Sequence, residues 1–200
     1  NTQEKGVIVL AEAFTKNRID ASKKLAKEVI EDLKLMGMTE AQLQFDISKI
    51  ELNQFGCDKI DFLFTANKGN QLGSLSKTAS GGELSRVMLS LKRLMSSKTA
   101  LPTIVFDEID TGVSGEVADQ MGDLMKKMGV EMQVLTITHL PQIAAKGNAH
   151  YKVYKSHDAS TTSSQIKSLS NSERVDELAQ MLSGTKVTEA SRQNAMELLK

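Results

Sequence analysis

The sequence has no tryptophan, a single cysteine and only 4% aromatic residues. The lone Cys57 excludes an internal disulfide framework and fits a reducing compartment. So few aromatics argue against a base-stacking platform for single-stranded nucleic acid. Neither charge sign is in excess, with 25 Lys+Arg against 25 Asp+Glu, which excludes an all-over basic coat but leaves room for a local patch. No apolar run approaches the roughly 18 residues of a membrane span. The first residues, Asn1 to Lys5, do not form a basic signal-peptide start, and Val7-Ile8-Val9-Leu10 is too short for its apolar region. There is no internal repeat and no Pro-rich linker, and the chain starts without Met, as a fragment would. What is present is ordinary globular material: 200 residues, 40% of them apolar, enough for one domain or one domain with a small appendage. Ten methionines point to aliphatic, adaptable packing.

Periodicity divides the chain. From Ser22, the positions Ala26, Val29, Leu33 and Met36 recur at spacings of four and three. Leu25 and Ile30 widen the stripe, and Lys23, Lys24, Lys27, Glu28, Glu31 and Asp32 flank it. That is a short coiled-coil seam or an amphipathic surface helix, ended by Gly37. Leu43, Phe45 and Ile47, then Ile60, Phe62 and Phe64, alternate with polar residues and predict a hairpin turning at 53–58. The polar stretch from Asn67 to Thr78 reads as an exposed loop. Beyond it come a helix on Leu84, Val87, Met88, Leu91, Leu94 and Met95, a buried strand at Thr103–Phe106, and a helix from Val117 to Met128 closed by Gly129. A second buried strand at Gln133–Thr138, a hairpin of Tyr151–Lys155 with Gln165–Leu169 and two helices separated by Gly184 complete the chain. The hairpin tip, Ser156 to Ser164, is too polar to bury. Strand, helix, strand in the middle predicts parallel strands in an α/β layer.

Three short segments carry chemistry. Thr103-Ile104-Val105-Phe106-Asp107-Glu108 is an apolar strand ending in two carboxylates, at the edge where α/β folds bind ligands. The first can hold Mg²⁺ and the second can polarise a water, although a solvated turn has the same look. Ser80-Gly81-Gly82-Glu83 stands before a long amphipathic helix with capping-box spacing. The glycines are unhelpful to a cap, since each costs roughly 1 kcal/mol against Ala inside a helix. They do expose bare N–H groups at the positive end of the helix, an arrangement suited to a phosphate. His139 follows the second strand and can bond a phosphate or position a water. His150, His157 and Cys57 have no partners at metal-ligand spacing, so zinc is unsupported. No Gly-Lys dipeptide occurs, and so no P-loop.

Together these segments resemble an ABC-type ATPase. Lys77-Thr78-Ala79-Ser80-Gly81-Gly82-Glu83-Leu84-Ser85-Arg86 is similar to the signature motif, Thr103 to Asp110 to the Walker B strand, and His139 to the switch histidine. The continuations Asp110 to Gly115 and Thr136 to Gln142 resemble the RecN family of bacterial DNA-repair proteins, within the SMC-like branch. The likeness runs from the coiled-coil remnant to the last helices. Ser114 stands where the transporter D-loop has Asp, and Glu83 where transporters have Gln.

The resemblance implies an α/β fold: residues 1–37 as the end of a coiled coil, and 38–200 as the C-terminal lobe of an ABC-type ATPase head. Walker A would lie in an N-terminal half of the same head. The implied cofactors are ATP and Mg²⁺, with Asp107 on the metal, Glu108 as general base and His139 at the γ-phosphate. Ser80, Gly81, Gly82 and Glu83 would meet the nucleotide of a second head, making an ATP-bridged homodimer. The implied activity is ATP hydrolysis in DNA double-strand break repair and recombination, in the cytoplasm at the bacterial nucleoid. DNA ends or single-stranded regions are the implied partners of the whole protein, and no membrane is involved. The other readings are an ABC transporter's nucleotide-binding subunit and a non-catalytic DNA-tethering scaffold. The near-heptad start disfavours the first, and the intact Asp107, Glu108 and His139 disfavour the second.

Overall fold

The computed structural model describes residues 2–96, 98, 101–157, 162–184 and 186–200. The chain divides into two compact units, Asn1–Thr99 and Ala100–Lys200. Among the described residues, no helix is long and apolar enough to cross a membrane.

The first unit begins with α1 (Thr2–Leu35), continues through β1 (Gln42–Asn53), β2 (Gly56–Thr65) and β3 (Gly73–Ser74), and ends with α2 (Leu75–Thr78) and α3 (Gly81–Ser96). Helix α1 stops where the sequence says it should. Gly37 takes φ 79°, the Met38 N–H donates to Leu33 O at 2.8 Å, and the Gly37 N–H donates to Lys34 O at 3.1 Å. This paired 6→1 and 5→2 closure needs the left-handed residue that glycine supplies without a Cβ penalty. Val29, Leu33 and Met36 are fully buried, and the helix packs along β1, β2 and α3. Its C-terminal half is thus a docked amphipathic helix. Val7, Ile8, Val9, Leu10 and Phe14 near its start are exposed.

Asp32 departs from the flanking, solvated position that the helical wheel gave it. It is buried, accepting the Ser90 hydroxyl at 2.6 Å and Arg93 Nε at 2.7 Å from α3. A one-helix pattern cannot register a partner helix whose polar residues meet a carboxylate.

The hairpin has the register its alternation predicts: Leu43 faces Phe64, Phe45 faces Phe62 and Ile47 faces Ile60. The Phe45 and Phe62 rings meet edge to face at 4.6 Å. Toward the tip, α1 holds the hairpin through Asp58. The Thr15 hydroxyl and Arg18 Nη1 each donate to that carboxylate at 2.7 Å and hold it below the usual carboxylate range. The stretch from Asn67 to Thr78 is not all loop. Gly73 and Ser74 pair with Phe64 and Leu63, and Leu75–Thr78 then makes one helical turn.

The second unit contains β4 (Thr103–Asp107), α4 (Gly115–Met128), β5 (Gln133–Ile137), α5 (Pro141–Lys146), β6 (Tyr151–His157), β7 (Thr162–Ser168), α6 (Asn171–Ser183) and α7 (Glu189–Leu198). β4 and β5 are parallel and in register from Thr103↔Gln133 to Asp107↔Ile137. The crossover helix α4 buries Ala118, Met121, Leu124, Met125 and Met128. Gly122 allows α5 to approach α4, because a Cβ there would come within 2.8 Å of the Lys146 side chain. A second core joins Ala145, Leu178, Ala179 and Ala195 across α5, α6 and α7.

The two strands are not buried as their apolar runs suggest. Phe106 is buried on one face, but Val105, Leu135 and Ile137 on the other are 58%, 45% and 55% exposed. A parallel strand reads as a continuous apolar run when both of its faces are covered. A run cannot say whether the second cover lies in the same chain. The β6–β7 hairpin is antiparallel and extends past the expected strand ends to His157 and Thr162. Residues 158–161 of its polar tip lie outside the described residues.

Candidate functional site

The carboxyl edge of β4 and β5 gathers the second unit's polar chemistry. Asp107 is the last residue of β4 and is exposed. Glu108, also exposed, is the only non-glycine among the described residues at positive φ, 48°. A glutamate has no local reason to visit that region, so its surroundings must hold it there. They do so from both sides of the residue. The Glu108 N–H donates to Ile137 O at 3.2 Å, while its carbonyl accepts the Thr111 N–H at 3.3 Å and the Thr111 hydroxyl at 2.9 Å. The chain therefore turns sharply at the second carboxylate, away from the strand direction of the first.

His139 sits just past the end of β5, with its side chain 69% exposed. Asp110 lies beneath it and is fully buried. The Thr138 hydroxyl donates to Asp110 Oδ2, and the same hydroxyl oxygen accepts the Leu140 N–H at 3.0 Å. His139 Nδ1 is 3.8 Å from Asp110 Oδ1. Asp107, Glu108 and His139 thus share one edge, braced by strand pairing, by the Glu108–Ile137 bond and by Asp110 on Thr138. Asp110 was not singled out in the sequence, where it passes for part of a polar turn. Its one signal is a third carboxylate, only three residues after Asp107.

In the first unit, Ser80, Gly81, Gly82 and Glu83 open α3. The capping box is formed: the Ser80 N–H donates to Glu83 Oε2 at 2.8 Å, and the Glu83 N–H to Ser80 Oγ at 3.4 Å. The cap accounts for Ser80 and Glu83 but not for Gly81, the first of the two glycines between them. Gly81 has no positive φ, and a Cβ added to it would meet nothing within 4 Å. Nothing inside the described chain requires a glycine there, and the open side leaves its N–H approachable. Arg86, one turn on, donates to Met36 O at 3.0 Å and to Gly82 O at 3.1 Å, which fixes this helix start to the end of α1.

Among the described residues, no group of three or more His, Cys, Asp and Glu is placed to hold a metal ion. Asp107 offers one carboxylate. That fits Mg²⁺ held largely by phosphate oxygens and water, and it does not fit an all-protein cage. An exposed glycine N–H at a helix start likewise fits a phosphate oxygen.

No protein-family model matches the chain. It is 41% identical over 190 residues to the DNA repair protein RecN of Rickettsia conorii, covering 95% of this chain and 35% of that relative. To RecN of Bacillus subtilis it is 38% identical over 212 residues, covering 98% and 37%. To RecN of Haemophilus influenzae it is 38% identical over 193 residues, covering 94% and 34%. The chain spans about a third of the length of these relatives. Among solved structures, the Smc head domain with a coiled coil and joint from Pyrococcus yayanosii is similar at TM-score 0.61 and 20% identity, over 84% of this chain and 31% of that one. A chain from work on ATP-driven dimerization and DNA stimulated activation of SMC ATPases is similar at TM-score 0.56 and 17% identity, over 88% and 99%. At such identities the likeness speaks for the fold: an α/β head of the SMC type. With near-complete coverage of the chain at about 40% identity, it belongs to the RecN family as that family's C-terminal part.

Proposed function

We propose that the chain is the C-terminal portion of an ATP-hydrolysing head in a DNA-repair protein, acting at a nucleotide held between two paired heads. The observation that carries this reading is Glu108. Among the described residues it is the one non-glycine held in the left-handed region, directly after Asp107 and at the strand edge that also bears His139. Backbone strain of that kind persists where the surroundings enforce it, and it collects at active sites.

When bound, ATP would supply the electrophilic phosphorus and Mg²⁺ would neutralise the charge on its phosphates. Asp107 would hold the metal, directly or through water. Glu108, turned off the strand axis, takes the proton of the attacking water. His139 bonds the γ-phosphate from the neighbouring strand end. Ser80, Gly81 and Gly82 present a hydroxyl and bare N–H groups to the phosphate bound by the other head, with Glu83 closing the cap behind them. Each contribution is positioning or charge stabilisation, as phosphoryl transfer requires.

Two features support an incomplete site. The sequence has no P-loop, and the β4–β5 face bearing Val105, Leu135 and Ile137 is apolar and open. An N-terminal half of the same head, carrying Walker A, would supply both the phosphate cradle and the missing cover. DNA ends or single-stranded regions are the proposed partners of the whole protein, working at the nucleoid with no membrane.

The test is reconstitution. This chain by itself is expected to bind no ATP at micromolar concentration in a calorimeter. Mixed with the matching N-terminal half, it is expected to hydrolyse ATP only when Mg²⁺ is present. Tight ATP binding by the chain unaided, or a reconstituted head without turnover, would count against the reading.

A further inference from the structure

The assigned roles leave Asp110 without a task, and its environment is unusual. It is fully buried, yet only one of its carboxylate oxygens is satisfied. Oδ2 accepts the Thr138 hydroxyl, and Oδ1 has no hydrogen-bond partner. Thr138 cannot serve both oxygens. Its single proton is given to Oδ2, and its own oxygen accepts the Leu140 N–H. A buried carboxylate oxygen left without a donor is costly, so a donor is to be sought nearby. His139 Nδ1 stands 3.8 Å from Oδ1, on a side chain that is 69% exposed. A shift of about 1 Å brings the pair to the ~2.8 Å of a charge-assisted bond.

We propose that Asp110 is a positioning residue for His139. Its buried Oδ1 accepts the Nδ1–H, which fixes the ring's orientation and leaves Nε2 as the nitrogen presented outward at the carboxyl edge of β4 and β5. That Nε2 then meets a phosphate oxygen or a water rests on the function proposed above. The contact between Asp110 and His139 does not. A carboxylate behind an imidazole selects its tautomer, and losing it leaves the ring present but wrongly protonated. The brace also joins the two strand ends. Asp110 follows β4 and His139 follows β5, so any displacement of one end moves the nitrogen that faces ligand.

The chain contains three histidines, so ring-nitrogen NMR of the whole 200-residue chain labelled at histidine is tractable, with His139→Gln assigning the signal. In its neutral form, His139 is expected to show the Nδ1–H tautomer. Asp110→Asn is expected to return it to the Nε2–H form while the circular dichroism spectrum is kept. An Nε2–H tautomer in the unaltered chain overturns the proposal, and that result needs no variant to fold. Thr138→Val separates bracing from positioning: it removes the bond to Oδ2, and the Nδ1–H signature is expected to survive. Loss of that signature in Thr138→Val, with the fold kept, overturns direct positioning by Oδ1.

In the complete head, Asp110→Asn is expected to lower kcat by about 10–100-fold, as outer carboxylate partners of a histidine do, with KM for ATP little changed. Added to His139→Gln it is expected to lower kcat no further. Full additivity of the two overturns the proposal. The tautomer measurement requires no nucleotide, so it decides the Asp110–His139 contact even if the head proves not to be an ATPase.

Discussion

Helices α3 and α6 start on the same Ser-x-x-Glu box. In α3 the Ser80 N–H reaches Glu83 at 2.8 Å and the Glu83 N–H returns to Ser80 at 3.4 Å; in α6 the matching distances, between Ser170 and Glu173, are 2.9 and 3.4 Å. Between the ends of the box, α6 has Asn171 and Ser172, whereas α3 has Gly81 and Gly82. The pair of helices is a built-in control. A cap of this geometry closes without glycine, so capping does not explain Gly81. Nor does backbone conformation or crowding, because Gly81 has no positive φ and open space where a Cβ would stand. The described chain shows no need for a glycine there, and the phosphate of the proposed function would supply one.

The comparison becomes measurable once hydrolysis is stopped. In the complete head, Glu108→Gln is expected to lower turnover by ~10²–10⁴-fold, the usual worth of a general base. ATP-dependent pairing of heads should persist, since the amide keeps the shape but cannot take the proton. A steady-state ATPase assay with sedimentation of the ATP-bound protein reads both, and a rate within about twofold of the parent would remove Glu108 from that role.

Stability should separate the two helix starts with a smaller effect and in opposite directions. Gly81→Ala is expected to stabilise the fold by about 0.4–1 kcal/mol through the unfolded chain, because the native conformation accepts an alanine. Ser170→Ala is expected to cost about 1 kcal/mol by removing an N-cap. Denaturant melts check both. If Gly81→Ala were destabilising, the glycine would have a folding role and the comparison would fail.

Much of this was readable beforehand, for a physical reason. The β1–β2 register follows from period-two alternation, which puts Leu43, Phe45 and Ile47 opposite Phe64, Phe62 and Ile60. The end of α1 follows from Gly37, and the two C-terminal helices from their own spacing. What stayed hidden depends on neighbours distant in sequence. Asp32 is buried because α3 brings Ser90 and Arg93 to it. The left-handed φ of Glu108 depends on Ile137 of another strand, and Asp110 meets Thr138 and His139 only because the fold brings the end of β5 to it. The half-open β4–β5 sheet shows the same limit from the other side. Its apolar runs report a need for cover, not where the cover lies.

The smallest expected effect concerns acid at the start of α6. Lys167, then the Ser170 backbone and hydroxyl, draw Glu173 from its ordinary 4.5 to about 2. A carboxyl depressed in the folded state stabilises above its unfolded value and loses that contribution as pH falls. The start of α6 should therefore weaken between about pH 4.5 and about pH 2. Lys167→Gln should move the weakening to higher pH, and hydrogen exchange on the first turn of α6 as a function of pH would record the shift.

The central claim is that the two starts differ in what comes to them from outside, and placing the same charge at both tests it most directly. Gly81→Asp and Asn171→Asp each add a carboxylate to a first helical turn, where the helix dipole favours it by roughly 0.3–1 kcal/mol. Neither variant should lose its fold. With Glu108→Gln in the background and ATP present, sedimentation of the complete protein is expected to show Asn171→Asp heads paired as in the parent. Gly81→Asp heads should remain apart although nucleotide is still bound. If Gly81→Asp heads paired as tightly as the parent's, the glycines of α3 would face no phosphate, and the account would be wrong.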